Sequence, residues 1–494
     1  DFASLSWADF ASDDMLYGAG WFGGYPGNRN EPFMRYFPWR TLFKGANSYW
    51  VWAGYGSAGS VMAFDTSLYP FFQVACEQIA EIKSGTGKLL ITADRQHDAI
   101  ALLYSPASVH VATYTDKFPN IDTTLNAVVR IVHDLGLECR VLSSAQVEQG
   151  ELTNDEFKAL IMPSCQAVSE AEAEAIRRFA DNGGHVIADL RPGVTDEHGK
   201  PYETGILDDL FGIKQAGAFT RVDKPDLLPE FGILGLDGSL QLAGATAVGE
   251  EPPYLTSHAS GKGVARLLNF GLDVYNPGKP TEGTPAGAAI RFMGEMLAEA
   301  GVGVPVALSP MRPDVEISRF RNGDAEYIGV IQGLPSDPIN YTNKVAPPLV
   351  AEAATLEFGR EAHIYDVRAG KYLGHTDTVQ TEITPSIAQF YALLPYQVRS
   401  VTMDGAPRMQ AGTEEPLTVR INAEAPAGTH VVHLSIIGPD GNARGYYSQN
   451  LLAEEGSGIT RIRFALDDQP GEWTIIATDV ASGVSGRATV EVAR

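Results

Sequence analysis

The chain has 494 residues, 44% of them apolar and 20% charged, so it carries material for several packed cores and is not a disordered chain. Its 61 acidic against 37 basic side chains leave a net charge of −24. That balance excludes a nucleic-acid partner, which needs a Lys/Arg-rich surface, and argues against docking on an anionic membrane. No apolar run reaches the ~20 residues that span a bilayer, and the length predicts three or four domains at roughly 100–200 residues each.

Residues 1–88 are unusual in composition: Trp7, Trp21, Trp39, Trp50 and Trp52 all fall here, and only Trp473 lies elsewhere. Leu16 to Tyr25 is Gly-rich and aromatic and reads as a short strand with its turn. Glu31 to Gly45 reads as a helix that Pro38 should bend or restart. Ser48 to Ala53 reads as a strand by its aromatic and β-branched content. Leu68 to Ile82 is a second amphipathic helix, followed by a Ser84-Gly85-Thr86-Gly87 linker. Two such βα units cannot close a sheet, which predicts that Asp1 lies inside a longer protein.

Residues 89–303 alternate between strand and helix. Ala99 to Ser105 is an apolar strand, and a helix from about Asp122 to Leu135 ends at Gly136. Strands follow at Cys139 to Leu142 and Ala159 to Met162. A capping box, Ser169-x-x-Glu172, opens the next helix, whose buried stripe is Ala175, Ile176 and Phe179. His185 to Asp189, a return strand at Val264 to Phe270 and a helix near Ala286 to Glu299 complete a parallel sheet with helices on both faces. No G-x-G-x-x-G follows the first strand, so no dinucleotide is expected.

From residue 304 the period changes to two. Val315 to Phe320 and Tyr327 to Ile331 flank the hairpin signal Asn322-Gly323. Ile364 to Val367, Tyr372 to Leu373 and Ala388 to Leu394 extend this β-sandwich to about residue 404. In 405–494, Val432, Leu434 and Ile436 alternate before a Pro439-Asp440-Gly441 turn. Ile462, Phe464 and Leu466 alternate again, then Trp473 and Ile475, which suggests an immunoglobulin-like sandwich.

Cys76, Cys139 and Cys165 form no C-x-x-C, so neither a disulfide framework nor a structural zinc site is supported. His430 and His433 fall on opposite strand faces and make a poor metal pair. Cys165 stands between a strand and a helix, as does the nucleophile of class I glutamine amidotransferases. It lacks the Gly-x-Cys-x-Gly elbow, which favours a structural cysteine.

The tryptophans carry the functional signal. Trp50 and Trp52 share one strand face, and indole rings make stacking platforms for sugars. Together with Trp21, Tyr25, Asn28 and Arg29 they form a candidate carbohydrate-binding cleft. Glu31 is the candidate catalytic carboxylate. The competing reading makes it a helix-N-terminal Glu favoured by the macrodipole.

The stretch Glu31 to Trp52, with Arg35-x-x-x-Trp39 and Gly45-Ala46-Asn47 ahead of an aromatic strand, resembles the seventh helix and eighth strand of barrel β-galactosidases of glycoside hydrolase family forty-two. Ala99 to about Val302, including Lys158 to Ser164 before a capped helix and Gly183-Gly184, resembles that family's flavodoxin-like trimerisation domain. The resemblance implies the C-terminal part of a (β/α)8 barrel at 1–88, a flavodoxin-like trimerisation-type domain at 89–303, a β-sandwich at 304–404 and an added Ig-like domain at 405–494. It implies a β-galactosidase-like glycosidase, a homotrimer with a carbohydrate substrate and no cofactor. Its retaining chemistry uses two carboxylates about 5–5.5 Å apart. The acid/base is expected upstream of Asp1. The nucleophile position, near Gly18 to Gly24, holds glycines and aromatics. A non-catalytic carbohydrate-binding or assembly protein from the same family is the alternative. The acidic, Ig-appended architecture leans toward a secreted or periplasmic location.

Overall fold

The computed structural model describes residues 31–47, 61–63, 65–114, 121–215, 217–224, 234–275, 285–312, 315–333 and 349–494. The strands expected over Leu16 to Tyr25 and Ser48 to Ala53 lie outside them. The described residues are mixed α/β with much sheet, and they fall into two compact units.

Helix α1 (Glu31–Phe43) runs through Pro38 rather than restarting there. An interior proline forfeits a backbone hydrogen bond and costs roughly 3 kcal/mol. Burial of Phe33, Met34, Trp39, Leu42 and Phe43 offsets that cost. Helix α2 (Pro70–Glu81) opens on Pro70, where the missing N–H is one of the helix's orphans anyway. The Ser84–Gly87 stretch is not an open linker. It is a tight break, with Gly85, Thr86 and Gly87 buried, between α2 and a short helix, Gly87–Ile91. Gly85 has φ 126°, and a Cβ there would stand 2.3 Å from Val480 Cγ2, so the position admits only glycine.

The unit formed around His97–Pro305 is built on a seven-stranded sheet. Strands β1 (Ile100–Tyr104), β2 (Arg140–Ser143), β3 (Ala159–Met162), β4 (His185–Asp189) and β5 (Gly263–Leu268) run parallel in the order β5–β4–β3–β1–β2. Leu255–Ser260 and Thr246–Val248 extend the β5 edge antiparallel. Side chains alternate between two cores, as a strand period of two requires. Ile100, Leu102, Ile161 and Ile187 pack with helices α3 (Ile121–Asp134) and α5 (Pro285–Glu299). Ala101, Leu103, Leu160 and Val186 pack with helix α4 (Glu170–Asp181) through Ile176 and Phe179. Each fully buried aliphatic side chain stabilises the unit by about 1.5–3 kcal/mol. The Ser169 hydroxyl accepts from Glu172 N, and the Glu172 carboxylate accepts from Ser169 N, which is the capping box read from sequence.

The other unit holds α1, α2 and the β-rich remainder. Its larger sheet has the order Asp94–Gln96, β6 (Val315–Asn322), β7 (Ala325–Gln332), Gln389–Leu394, Glu352–Asp366 and Ala307–Ser309. We label Glu352–Asp366 β8, its antiparallel partner Lys371–Ile383 β9, and Gln389–Leu394 β10. The β6–β7 turn uses Gly323 at φ 59°, as Asn322-Gly323 predicts. β8 and β9 are far longer than the fragments read from sequence, although Ala354, Leu356 and Phe358 alternate into the core.

Residues 398–494 form a three-stranded sheet, β11 (Val398–Gly405), β12 (Glu414–Ala423) and Ser457–Arg463, and a five-stranded one. The latter joins Arg408–Gln410, Ser485–Ala493, β14 (Gly471–Asp479), β13 (His430–Ile437) and Gln449–Ala453. Val432, Leu434, Ile436, Phe464, Trp473 and Ile475 are buried, with the Phe464 and Trp473 rings 4.8 Å apart. Leu466, expected beside Ile462 and Phe464, lies beyond its strand and is 76% exposed.

Candidate functional site

Glu31 is the first residue of α1 and is exposed, in the turn where a carboxylate opposes the positive end of the helix dipole. Trp21, Tyr25, Asn28, Arg29, Trp50 and Trp52 lie outside the described residues. Among the described residues, therefore, Glu31 is the one predicted site residue that can be placed.

What can be followed is how the helix bearing Glu31 is held. Trp39 is fully buried, and its indole N–H donates to Gln78 Oε1 at 3.0 Å. The Arg368 guanidinium lies 4.4 Å from the Trp39 ring centroid, a cation–π contact. Arg368 also grips Glu81 with two parallel hydrogen bonds of 2.6 and 2.7 Å, the bidentate geometry a planar fork favours. Lower on α1, Arg40 Nε donates to Glu316 Oε1 at 2.8 Å, and Lys44 Nζ stands 2.9 Å from Glu316 Oε2. Arg40 and Lys44 are buried, so this β6 carboxylate is shared by two cations withdrawn from water. Beside Arg368 opens a polar cleft of about 440 Å³ lined by Glu81, Asp366, Thr381, Gln389 and Tyr391. Its polar groups are bonded to one another: Tyr391 donates to Thr381 Oγ1 at 2.9 Å, and Arg368 to Glu81 and to Ala388 O. The cleft belongs to the framework around α1 and α2.

The second place to look is the carboxyl edge of the parallel sheet, where β2 and β3 leave β1 on opposite sides. Open α/β sheets bind ligands at such a switch point. Here the polar groups of Ser105, Ser108 and Ala167 bond to one another. Ser105 Oγ donates to Ser108 Oγ at 2.9 Å, and Ser108 Oγ accepts from Ala167 N at 2.9 Å. Next to it, Asp189 at the end of β4 is buried and accepts backbone N–H groups from Ser164 and from Leu272, the latter at 3.1 Å. Burial raises its pKa from the ordinary 3.8 to about 7, against the lowering by those hydrogen bonds. Ser164 has φ 49°, a left-handed conformation unusual for a residue with a side chain. Cys165 is fully buried in the α4-side core, and burial pushes its thiol pKa well above the usual range, with Glu172 and Asp189 adding to the effect. A buried protonated thiol is no nucleophile.

Residues 100–227 match the β-galactosidase trimerisation domain. β1 to β4, α3 and α4 lie within the matched stretch. In fold, the chain resembles a catalytic mutant of a family 42 β-galactosidase from G. stearothermophilus, with a TM-score of 0.54 at 14% identity, over 74% of this chain and 51% of that one. It resembles the β-galactosidase of Bacillus circulans sp. alkalophilus equally, with a TM-score of 0.54 at 15% identity over 74% and 52% of the two chains. The β-galactosidase of Rahnella sp. R3 gives 0.51 at 15% identity over 74% and 51%. The chain thus spans about half the length of the enzymes it resembles, and at these identities the likeness is one of fold. No curated protein matches it in sequence.

One feature within the matched stretch is not among the elements read from sequence. Ser143 accepts from Gln146 N at 3.3 Å while Gln146 Oε1 accepts from Ser143 N at 3.0 Å, a second capping box on the short helix Ser144–Glu148. The Ser-x-x-Gln spacing was its signal. Asp189, by contrast, carries no sequence signature, because the backbone groups it accepts from come from elsewhere along the chain. No described helix is long and apolar enough to cross a membrane.

Proposed function

We propose that this chain is the C-terminal portion of a β-galactosidase-like glycoside hydrolase that assembles as a homotrimer and hydrolyses a β-linked sugar. In this reading residues 1–88 are the end of a (β/α)8 barrel, 89–303 a flavodoxin-like trimerisation domain, 304–404 a β-sandwich and 405–494 an Ig-like sandwich. Trp21, Tyr25, Asn28, Arg29, Trp50 and Trp52 bind the sugar at the barrel mouth, and Glu31 is the nearest carboxylate available to it. The observation that carries the reading is the match of residues 100–227 to the β-galactosidase trimerisation domain.

Two measurements test it. Light scattering on the purified protein reads the assembly, and a monomer at micromolar concentration would contradict the trimer. The full-length gene product is assayed on chromogenic β-galactosides. Turnover lost in Glu31→Gln supports a catalytic Glu31, and turnover unchanged in that variant removes its role. Sugar binding without turnover selects the non-catalytic alternative.

A further inference from the structure

We propose that Tyr446, on the turn Gly445–Tyr447, is a stacking platform for an uncharged polysaccharide. The proposal needs binding and no turnover, so it does not depend on the hydrolase reading.

The turn joins β13 to the strand Gln449–Ala453, and Tyr447 is its anchor. The Tyr447 hydroxyl donates to Asp468 Oδ2 and accepts from Ala465 N at 2.8 Å. Its ring meets Phe464 and Trp473 edge-on, with centroids 5.6 and 6.1 Å away. Phe464 and Trp473 are fully buried, so Tyr447 ties the turn to the core. Tyr446 is left outside. Its ring centroid is 4.7 Å from that of Tyr447, yet the residue is 72% exposed. A turn fastened in this way presents the ring with little ordering left to pay on binding. Leu466, also exposed, follows Ala465 on the loop that clasps Tyr447. One exposed apolar side chain is ordinary, but two beside the same anchor make a patch.

The polar groups around the patch select the ligand. Arg444 is already engaged: Nη2 donates to Asp440 Oδ2 at 2.8 Å, and Nη1 to Asn442 O at 3.1 Å. Its guanidinium also lies 5.8 Å from the Trp473 ring centroid. Asp468 accepts from Tyr447 and from Ala465 N through Oδ2, and among the described residues nothing donates to its Oδ1. Asp467, next to it, is exposed. An acidic rim whose one neighbouring cation is paired repels anions. What fits is an uncharged ligand with a C–H face for the ring and hydroxyl donors for a carboxylate oxygen. A pyranose has both.

The test is affinity electrophoresis of the chain in native gels containing β-1,4-galactan, xylan or mixed-linkage β-glucan. We expect at least one of these polysaccharides to retard it. Tyr446→Ala should weaken that binding at least about tenfold, in line with the loss of one stacked ring. Tyr446→Phe should keep it, because the ring and not the hydroxyl makes the contact. Leu466→Ala should weaken it less, and Tyr114→Ala, at an exposed tyrosine of the other unit, not at all. No retardation by any of the three overturns the proposal, as does equal retardation of the parent and Tyr446→Ala. Retardation by polylysine that is lost in Tyr446→Ala overturns it too, and assigns the surface to a basic peptide. Retardation reads binding and chromogenic turnover reads hydrolysis, so either reading can fail without the other.

Discussion

His430 and Asp479 are buried side by side, with His430 Nδ1 2.8 Å from Asp479 Oδ1. The protons on this pair can be assigned by counting donors. Gly428 N–H donates to the Tyr396 oxygen at 2.6 Å, so the Tyr396 O–H is left to donate to His430 Nε2, 2.9 Å away. His430 then carries its own proton on Nδ1 and gives it to Asp479. Asp479 also accepts from Ser482 N at 3.1 Å and from the Ser482 hydroxyl. The chain Tyr396–His430–Asp479–Ser482 joins the end of the larger sheet to β13 and β14. It is a bonded core network, not a metal site.

Removing the middle of that network strands a buried carboxylate. His430→Ala is expected to lower stability by about 3 kcal/mol, the upper end of the usual cost of leaving a buried acceptor without its donor, because the acceptor is a carboxylate. Chemical denaturation measures it. A change under 1 kcal/mol would mean that water takes over the missing donor.

Glu316 makes a similar case on β6. It faces Arg40 at 2.8 Å and Lys44 at 2.9 Å. Glu316→Ala takes the shared carboxylate from two buried cations and should cost several kcal/mol. Glu316→Gln should recover part of that, because the amide oxygen still accepts. If denaturation finds the two variants equal, packing rather than charge holds α1 at this point.

The pH dependence of the unit built around His97–Pro305 is set in part by Asp189. Its folded pKa, about 7, lies above the ordinary value of 3.8, so the folded state holds the proton more tightly than the unfolded one. The stability this confers is fully present below about pH 4 and is lost as the pH rises through 7. The loss is on the order of 4 kcal/mol at 1.36 kcal/mol per unit. Glu172, also raised by burial to about 7, acts in the same direction. Tm measured between pH 4.5 and 8 should therefore fall, and Asp189→Asn should flatten the slope. An unchanged slope in that variant would place the effect elsewhere.

Cys165 should be inert in the folded protein, being fully buried with a raised thiol pKa. Cys76 and Cys139 are half-buried and should react first with a thiol reagent. Mapping the labelled peptides before and after unfolding checks this. Early modification of Cys165 would revive a nucleophilic role for it.

The sequence by itself determined the local structure wherever periodicity was strong. The α/β alternation after residue 99, the Ser169–Glu172 capping box and the Asn322-Gly323 turn depend on near neighbours and needed nothing else. The aromatic cluster at Trp21, Trp50 and Trp52 was legible as composition, and Glu31 as a helix start, but not as a constellation. Tertiary structure decided the rest, because those contacts join distant residues. Pro38 stays inside α1 because the buried face outweighs one lost hydrogen bond. The Ser84–Gly87 stretch closes into a buried turn because Val480, nearly 400 residues on, leaves no room for a Cβ at Gly85. At the carboxyl edge of the sheet, Ser105 and Ser108 bond to Ala167 across about sixty residues. Register did the same for His363 and His375. Their separation along the chain says nothing of their contact until pairing makes them opposite neighbours.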